Sequence, residues 1–355
     1  MSTKKYNVFL LLSNMARNIV DIFSLIILYN KNYSLQEIFI YLSIYYFSSI
    51  FVNIFSLKFL NKHNYKILLI ISSIFLGLSF YYLSSLKHNL LSLTILALLL
   101  SISNYTYHST RHYLGLKYLN NRSQVSLSLI YTYLGLMLSS YLGSYLTSNY
   151  SLTLTTILVI ILSILSIIPI LNLQTTPPQE QIFFTTKLNN PLFVILEQFK
   201  VIFLLLEPLY LYININSNLN YISLFNILIG LSSLLFTYYL GKISNPSKLF
   251  KYLNISFVIV LLFKLILTNK VLLYLIAFLE GIGIKNFEVS SLENFYHSPS
   301  DIPILSYLLS SEVIFCLTCF LIAFLSIFLN NLLITMFFFL IAIFIASFVR
   351  YPKTK

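Results

Sequence analysis

The sequence predicts an all-α integral membrane protein with twelve transmembrane helices in two six-helix bundles. Three observations carry that expectation. The 355 residues are 58% hydrophobic and only 9% charged, with a mean hydropathy of +0.85. A soluble domain carries roughly 25% charged residues, so a chain this poor in charge cannot cover its own surface against water. The apolar residues also gather into runs of roughly 20, the length a helix needs to cross ~30 Å of hydrocarbon at ~1.5 Å per residue. Finally, positive charge alternates between rich and poor from one loop to the next.

The runs fall at about 7–29, 36–57, 67–86, 90–111, 125–146, 152–171, 192–213, 221–241, 252–268, 271–294, 304–329 and 332–350. Many are rich in β-branched and aromatic residues. Backbone in lipid must satisfy itself, however, and barrel strands would be about half as long and strictly alternating. Residues 1–5 are basic and lead into an apolar run without a small-residue cleavage site, which reads as a retained first span. The longest loop, 172–191, holds Thr175, Thr176, Pro177, Pro178 and Gln179. Such a segment cannot continue a helix. It divides the chain into an N-terminal bundle (1–174), a cytoplasmic linker (175–191) and a C-terminal bundle (192–355).

With a cytoplasmic N-terminus, the inner segments hold fourteen Lys and Arg: Lys4, Lys5, Lys58, Lys62, Lys66, Lys117, Arg122, Lys187, Lys242, Lys248, Lys251, Arg350, Lys353 and Lys355. The outer loops hold three: Lys31, Lys87 and Lys270. That bias puts both termini in the cytoplasm of a multi-pass protein of the plasma membrane. The net charge of +12 does not indicate nucleic acid, because the basic residues are scattered among apolar runs and form no arm. Cys316 and Cys319 are the only cysteines. Their C-x-x-C spacing lies inside an apolar run without a second ligand pair, so they read as small packing residues. No metal site and no cofactor is expected.

An ionisable group at the bilayer centre costs ~2.5–3.5 kcal/mol even on insertion scales, so it tends to face the bundle interior and mark a pathway. The first run carries Asn14, Arg17, Asn18 and Asp21 at i, i+3, i+4 and i+7, one helical face. Arg17 and Asp21 are one turn apart and can partly neutralise each other. The fourth carries Ser101, Asn104, Tyr105, His108, Arg111 and His112. The seventh carries Glu197, Lys200 and Glu207 on one face, and the tenth Glu280, Lys285 and Glu288 on a broader one. Elsewhere the runs hold little charge. Glu312 in the eleventh is an exception, as is Lys264 near the outer end of the ninth, where it is expected to snorkel. Each group also has a plainer reading. Arg17 with Asp21 reads equally as a buried structural pair, Arg111 and His112 as anchors of a helix end, and His108 as a packed, hydrogen-bonded ring. Glu207 reads as a partner for backbone freed near Pro208.

Two short basic loops stand at equivalent places in each half. The first reads Lys58-Phe59-Leu60-Asn61-Lys62-His63-Asn64-Tyr65-Lys66, the second Gly241-Lys242-Ile243-Ser244-Asn245-Pro246-Ser247-Lys248. They resemble the G-x-x-x-D-R-x-G-R-K loop of the major facilitator superfamily. Asn61, Lys62 and Lys66 align with its Asp, first Arg and last Lys. Gly241 and Asn245 align with its Gly and Asp in the second copy. Leu57 and Asn64 replace the first loop's glycines, and both acids have become Asn. The resemblance implies two bundles that rock about a central site, with helices one, four, seven and ten lining the cavity. It further implies cytoplasmic loops that latch, a task in which Lys62, Lys66 and Lys248 could serve; they read equally as orientation charges.

The expectation is therefore a secondary transporter for a small polar organic solute. The path would run along Asn14, Arg17, Asp21, Asn104, His108, Arg111, Lys200, Glu207, Glu280, Lys285 and Glu288, with protons as a candidate coupling ion. Its partners would be the lipid bilayer and the solute, and it would work as a monomer. Rival classes are a lipid or polysaccharide flippase and a non-transporting receptor or scaffold. No Walker loop, H-E-x-x-H or G-x-S-x-G is present, so no enzyme motif competes. Gly135, Ser139 and Gly143 form a small-x-x-x-small row that reads as helix packing.

Overall fold

The computed structural model describes residues 3–119, 122–171, 177–185, 191–240, 247–296 and 302–346. The side chains of 3, 122, 191–194, 196–197, 240, 247–254 and 285–296 lie outside that description. Among the described residues twelve α-helices follow one another: α1 (Thr3–Asn30), α2 (Leu35–Lys62), α3 (Tyr65–Ser85), α4 (Leu90–Tyr118), α5 (Arg122–Asn149), α6 (Leu152–Ile167), α7 (Pro191–Asn214), α8 (Leu219–Leu240), α9 (Ser247–Ile266), α10 (Lys270–Tyr296), α11 (Ile304–Leu329) and α12 (Leu332–Ala346). Each coincides with one expected run. α1 to α6, α8 and α11 are long and apolar enough to cross a bilayer; Ile255–Ile266 within α9 and Leu332–Ala346 are shorter apolar stretches.

The helices are amphipathic in the sense lipid requires. On α2, Phe47, Phe51 and Phe55 repeat every four residues and are exposed, while Ser49, Asn53 and Ser56 on the opposite side are fully buried. Water would select the reverse arrangement. Here apolar rings meet hydrocarbon, and Ser49 and Asn53 find partners inside. Phe328, Leu91 and Val271 are likewise exposed on other helices, which makes an apolar exterior far too large for a soluble monomer.

Polar caps turn the chain sharply between helices. Ser34 accepts from the Glu37 amide while the Glu37 carboxylate accepts from the Ser34 amide, a reciprocal cap at the start of α2. Asn64, Asn89 and Ser151 cap α3, α4 and α6 from one side only, each accepting from a first-turn amide. Asn330 closes α11 in the left-handed region at φ 41°, a conformation Asn tolerates better than most residues.

The packing pattern repeats with a shift of six helices. In the first half α1 packs on α5 and α6, α2 on α4, and α3 on α4 and α6. In the second, α7 packs on α11 and α12, α8 on α10, and α9 on α10 and α12. The most extensive contacts of all join the halves: α2 against α11 and α5 against α8. Those two contacts exchange under the same shift, so the pattern has two-fold pseudo-symmetry. Small residues allow the close approaches. A Cβ at Gly135 would stand 2.9 Å from the Leu11 carbonyl oxygen and 3.3 Å from Asn14 Cβ, so α5 can lie this close to α1 only without one. On α10, a Cβ at Gly281 would run into Ser232, Ser233 and the Ile229 carbonyl of α8.

Candidate functional site

In the first half the polar interior centres on Arg17. It is 5% exposed on α1, and its guanidinium donates to Ser103 Oγ at 3.2 Å and Asn104 Oδ1 at 2.6 Å on α4, and to Ser72 Oγ on α3. Its carbon lies 3.9 Å from the centre of the Tyr107 ring, a favourable place for a cation. A planar fork with five donors suits this many-sided site, where an ammonium would not. Asn104 in turn donates to Tyr45 Oη at 2.9 Å, so one chain of bonds runs from α1 through α4 to α2. A small cavity, roughly the room of one water, opens beside Arg17 and is lined by Ser13, Ser72, Ser73, Ser163 and Ser166. Arg17 and Asp21 stay within electrostatic reach of each other, as expected, but without direct contact. No ion pair within 4.0 Å joins them, because α3 and α4 supply the guanidinium with closer acceptors. Asp21, partly exposed, stands instead among Tyr41, Tyr45 and Asn104.

In the second half the corresponding helices, α7, α9 and α10, carry a second cluster. Lys264 Nζ pairs with Glu280 Oε2 at 2.6 Å and with Glu207 Oε1. All three residues are at most 3% exposed, and Lys264 is 0%. Its ammonium also lies 4.7 Å from the Phe225 ring centre. The expectation that Lys264 snorkels outward is thus overturned. The long stem points inward because two buried carboxylates need a cation more than the ammonium needs the interface. Glu207 is held by this lysine rather than spent on backbone near Pro208. Glu280 Oε1 has no hydrogen-bond partner.

Each cluster lies within its own half. The groups that meet between halves are different ones. Asn53 on α2 donates to Cys316 Sγ on α11 at 3.2 Å and accepts from Ser109 on α4 at 2.9 Å. His112 Nε2 approaches Glu312 Oε1 at 3.6 Å, joining α4 to α11. Within the second half, Cys319 Sγ lies 4.0 Å from Gln198 Oε1 on α7. Both cysteines are buried and unbridged. Among the described residues no group of three or more His, Cys, Asp and Glu side chains could hold a metal ion.

Of the other expected residues, Asn14 is buried and donates to the Leu10 carbonyl at 2.6 Å and to Thr132 on α5 at 3.3 Å. His108 is half-buried and stacks near Tyr105, Tyr107 and His112. Arg111 is half-buried one turn from His108, and its carbonyl accepts from Tyr6 Oη at 3.1 Å. Lys200 is buried on α7. Lys285 and Glu288 fall on α10, where their side chains lie outside the description. At the loops, Asn61 binds the backbone of Glu180, Lys66 donates to the Leu171 carbonyl at the end of the first half, and Lys62 is exposed. Gly241 and Asn245 lie outside the described residues, as does the Lys248 side chain.

Sequence reasoning missed Ser72, Ser103, Asn53 and Ser109, and it misplaced Lys264. The serines leave no signal, since nearly every helix carries several. Lys264 did leave one: Glu207 and Glu280 are two acids in apolar surroundings, and an unassigned lysine lay at matching depth.

No family model matches the sequence, and no curated protein matches it. Comparison of folds does find relatives. A bacterial homologue of the iron transporter ferroportin, in its outward-facing state, superposes with a TM-score of 0.63 at 14% identity, covering 97% of both chains. The same homologue soaked with iron gives 0.68 at 13% identity over 98% of each. A point mutant of the nucleoside transporter NupG gives 0.65 at 12% identity, again over 98% of each. The chain therefore shares the fold of these proteins along nearly its whole length. The proteins it resembles are transporters and not enzymes.

Proposed function

We propose that this chain is a secondary transporter that moves a small polar organic solute by alternating access. α1 to α6 (within 1–174) and α7 to α12 (from Pro191 onward) are two six-helix bundles joined by 175–190. All twelve helices cross the plasma membrane, and both ends of the chain lie in the cytoplasm. The observation that carries this reading is the packing pattern: five helix pairs recur after a shift of six, and the two largest contacts exchange under it. Such pseudo-symmetry supports two bodies that rock about a shared interface. The two neighbours named for cargo carry different ones, so the solute class rests on side chains. Arg111 on α4 and Glu312 on α11, with His112 beside the glutamate, offer both signs of charge at an inter-half contact, which suits a zwitterionic or anionic solute.

Protons are the coupling ion in this reading. Glu207 and Glu280 share one ammonium, so with all three ionised the cluster carries one uncompensated negative charge at full burial, which is costly. A single proton on the carboxylate pair removes it. The unpartnered Glu280 Oε1 is one oxygen open to that proton.

The test is accumulation of solutes by proteoliposomes. Vesicles with an imposed pH gradient are exposed to a mixture of amino acids, nucleosides, sugars and organic acids, and their contents are read by mass spectrometry. The reading expects gradient-driven enrichment of one solute class over empty vesicles, with enrichment lost in Glu280→Gln. Facilitated entry that ignores the gradient would remove the proton. Exchange of lipid between leaflets with no solute entry would replace the transporter with a flippase.

A further inference from the structure

Residues 177–185 run extended along one end of the molecule and are bonded to both halves. On the first half, Asn61 at the end of α2 reads the linker backbone twice. Its Oδ1 accepts from the Glu180 amide at 2.7 Å, and its Nδ2 donates to the Glu180 carbonyl at 2.7 Å. The Gln179 amide adds a bond to the Asn61 carbonyl at 3.3 Å. Gln179 itself stands at φ 53°, a region unfavourable for a residue with a Cβ. That turn presents both peptide groups of Glu180 to one side-chain amide.

On the second half the partner is the start of α11. Pro303 at its N-cap provides no side-chain acceptor, so the first-turn amides need one from elsewhere. Glu180 Oε2 accepts from the Leu305 amide at 3.1 Å, placing a negative charge where the helix end favours it. Ser306 Oγ donates to the Gln181 carbonyl at 3.1 Å and accepts from the Phe183 amide at 3.1 Å. Ser310 Oγ accepts from the Thr185 amide at 2.8 Å. The register is geometric. Two residues of extended chain span ~6.6 Å and one turn of helix from Ser306 to Ser310 rises ~6 Å, so alternate linker amides meet successive serines.

We propose that 177–185 is a latch that holds this end of the transporter closed. Glu180 touches both halves at once, through its backbone to Asn61 and through its carboxylate to α11. When the halves part here by more than a hydrogen-bond length, one set of bonds breaks. The latch also explains an asparagine where the resembling loop has an acid: an aspartate at this position accepts from the Glu180 amide but cannot donate to its carbonyl. This inference rests on the alternating-access reading.

The test uses the full chain in nanodiscs with Cys316 and Cys319 changed to Ser. Spin labels on Lys58→Cys and Tyr239→Cys report the latch end, and labels on Lys87→Cys and Lys270→Cys report the opposite end. Pulsed electron resonance gives the population of each distance. Asn61→Asp and Glu180→Ala each remove about one net hydrogen bond. A factor of ten per ~1.4 kcal/mol then gives roughly a tenfold rise in the open-to-closed ratio at the latch end, with the opposite end closing in step. Ser306→Ala, which removes two linker bonds, acts in the same direction. Two populations that interconvert in the parent but ignore all three substitutions overturn the latch and leave alternating access standing. A single population at both ends in every variant overturns alternating access itself. Simultaneous opening of both ends marks loss of fold and also counts against a latch.

Discussion

Replacing Lys264 with methionine keeps most of the side-chain volume and removes its charge. The loss is large because of where the group sits. Lys264 is 0% exposed, and Glu207 and Glu280 beside it are 3% and 0% exposed. Removing one partner of a buried ion pair costs about 3–5 kcal/mol, since the other charge stays buried without compensation. A second route gives the same scale: neutralising an ordinary glutamate at pH 7 costs about 4 kcal/mol, which bounds the loss once the orphaned acid takes up a proton instead. Equilibrium unfolding in mixed micelles measures the difference. Lys264→Met is expected to lose about 3–5 kcal/mol at pH 7, and less at pH 5, where protons are cheaper. The triple variant Lys264→Met with Glu207→Gln and Glu280→Gln carries no charge there and should recover most of the loss. A lysine that merely snorkels would cost below about 1 kcal/mol. That value for the single variant, or a triple variant no better than the single, would refute the buried cluster.

Other perturbations follow from the same contacts. Arg17→Lys keeps the charge but cannot serve Ser72, Ser103 and Asn104 together, so about 2 kcal/mol of stability should be lost in the same unfolding assay. Asn53→Leu removes the bonds to Cys316 and Ser109; labelling of Cys316 by a small maleimide, slow in the parent because the thiol is buried, should accelerate severalfold as α2 and α11 separate. Gly135→Leu drives a side chain into the α1 backbone and should cost several kcal/mol or prevent folding, measured as the yield of monodisperse protein, whereas Gly135→Ala should cost about 1–3 kcal/mol.

Much of the fold was legible because hydrocarbon imposes a length. Twelve apolar runs became twelve helices, yet the ends of α2 and α4 were read short. α2 continues to Lys62 and α4 to Tyr118, past the residues 57 and 111 where apolar character fades. Their last turns are polar, basic and still helical, since the interface lets long side chains reach water. Orientation of charge was less legible. Arg17 and Asp21 are neighbours on one face, but the arginine's partners lie on α3 and α4, 55 to 87 residues away, and sequence spacing says nothing of them. Whether Lys264 points out or in depends on the rotation of α9 about its axis, which an almost uniformly apolar helix does not reveal. Glu180 drew no attention in a loop of prolines and polar residues, and its meaning emerges only once α11 is seen to begin without a cap.

The central claim is that the two halves move against each other while each stays internally rigid. Phe47 on α2 and Phe320 on α11 face each other across the halves with ring centres 5.3 Å apart. Thr147 on α5 and Thr155 on α6 lie within one half, with hydroxyls 3.1 Å apart. Cysteines at each pair, joined by a short reducible cross-linker, bear on the claim directly through solute accumulation in proteoliposomes. Joining 47 to 320 should abolish accumulation until reductant is added, while joining 147 to 155 should leave it intact. Accumulation that persists with 47 and 320 joined would contradict the claim.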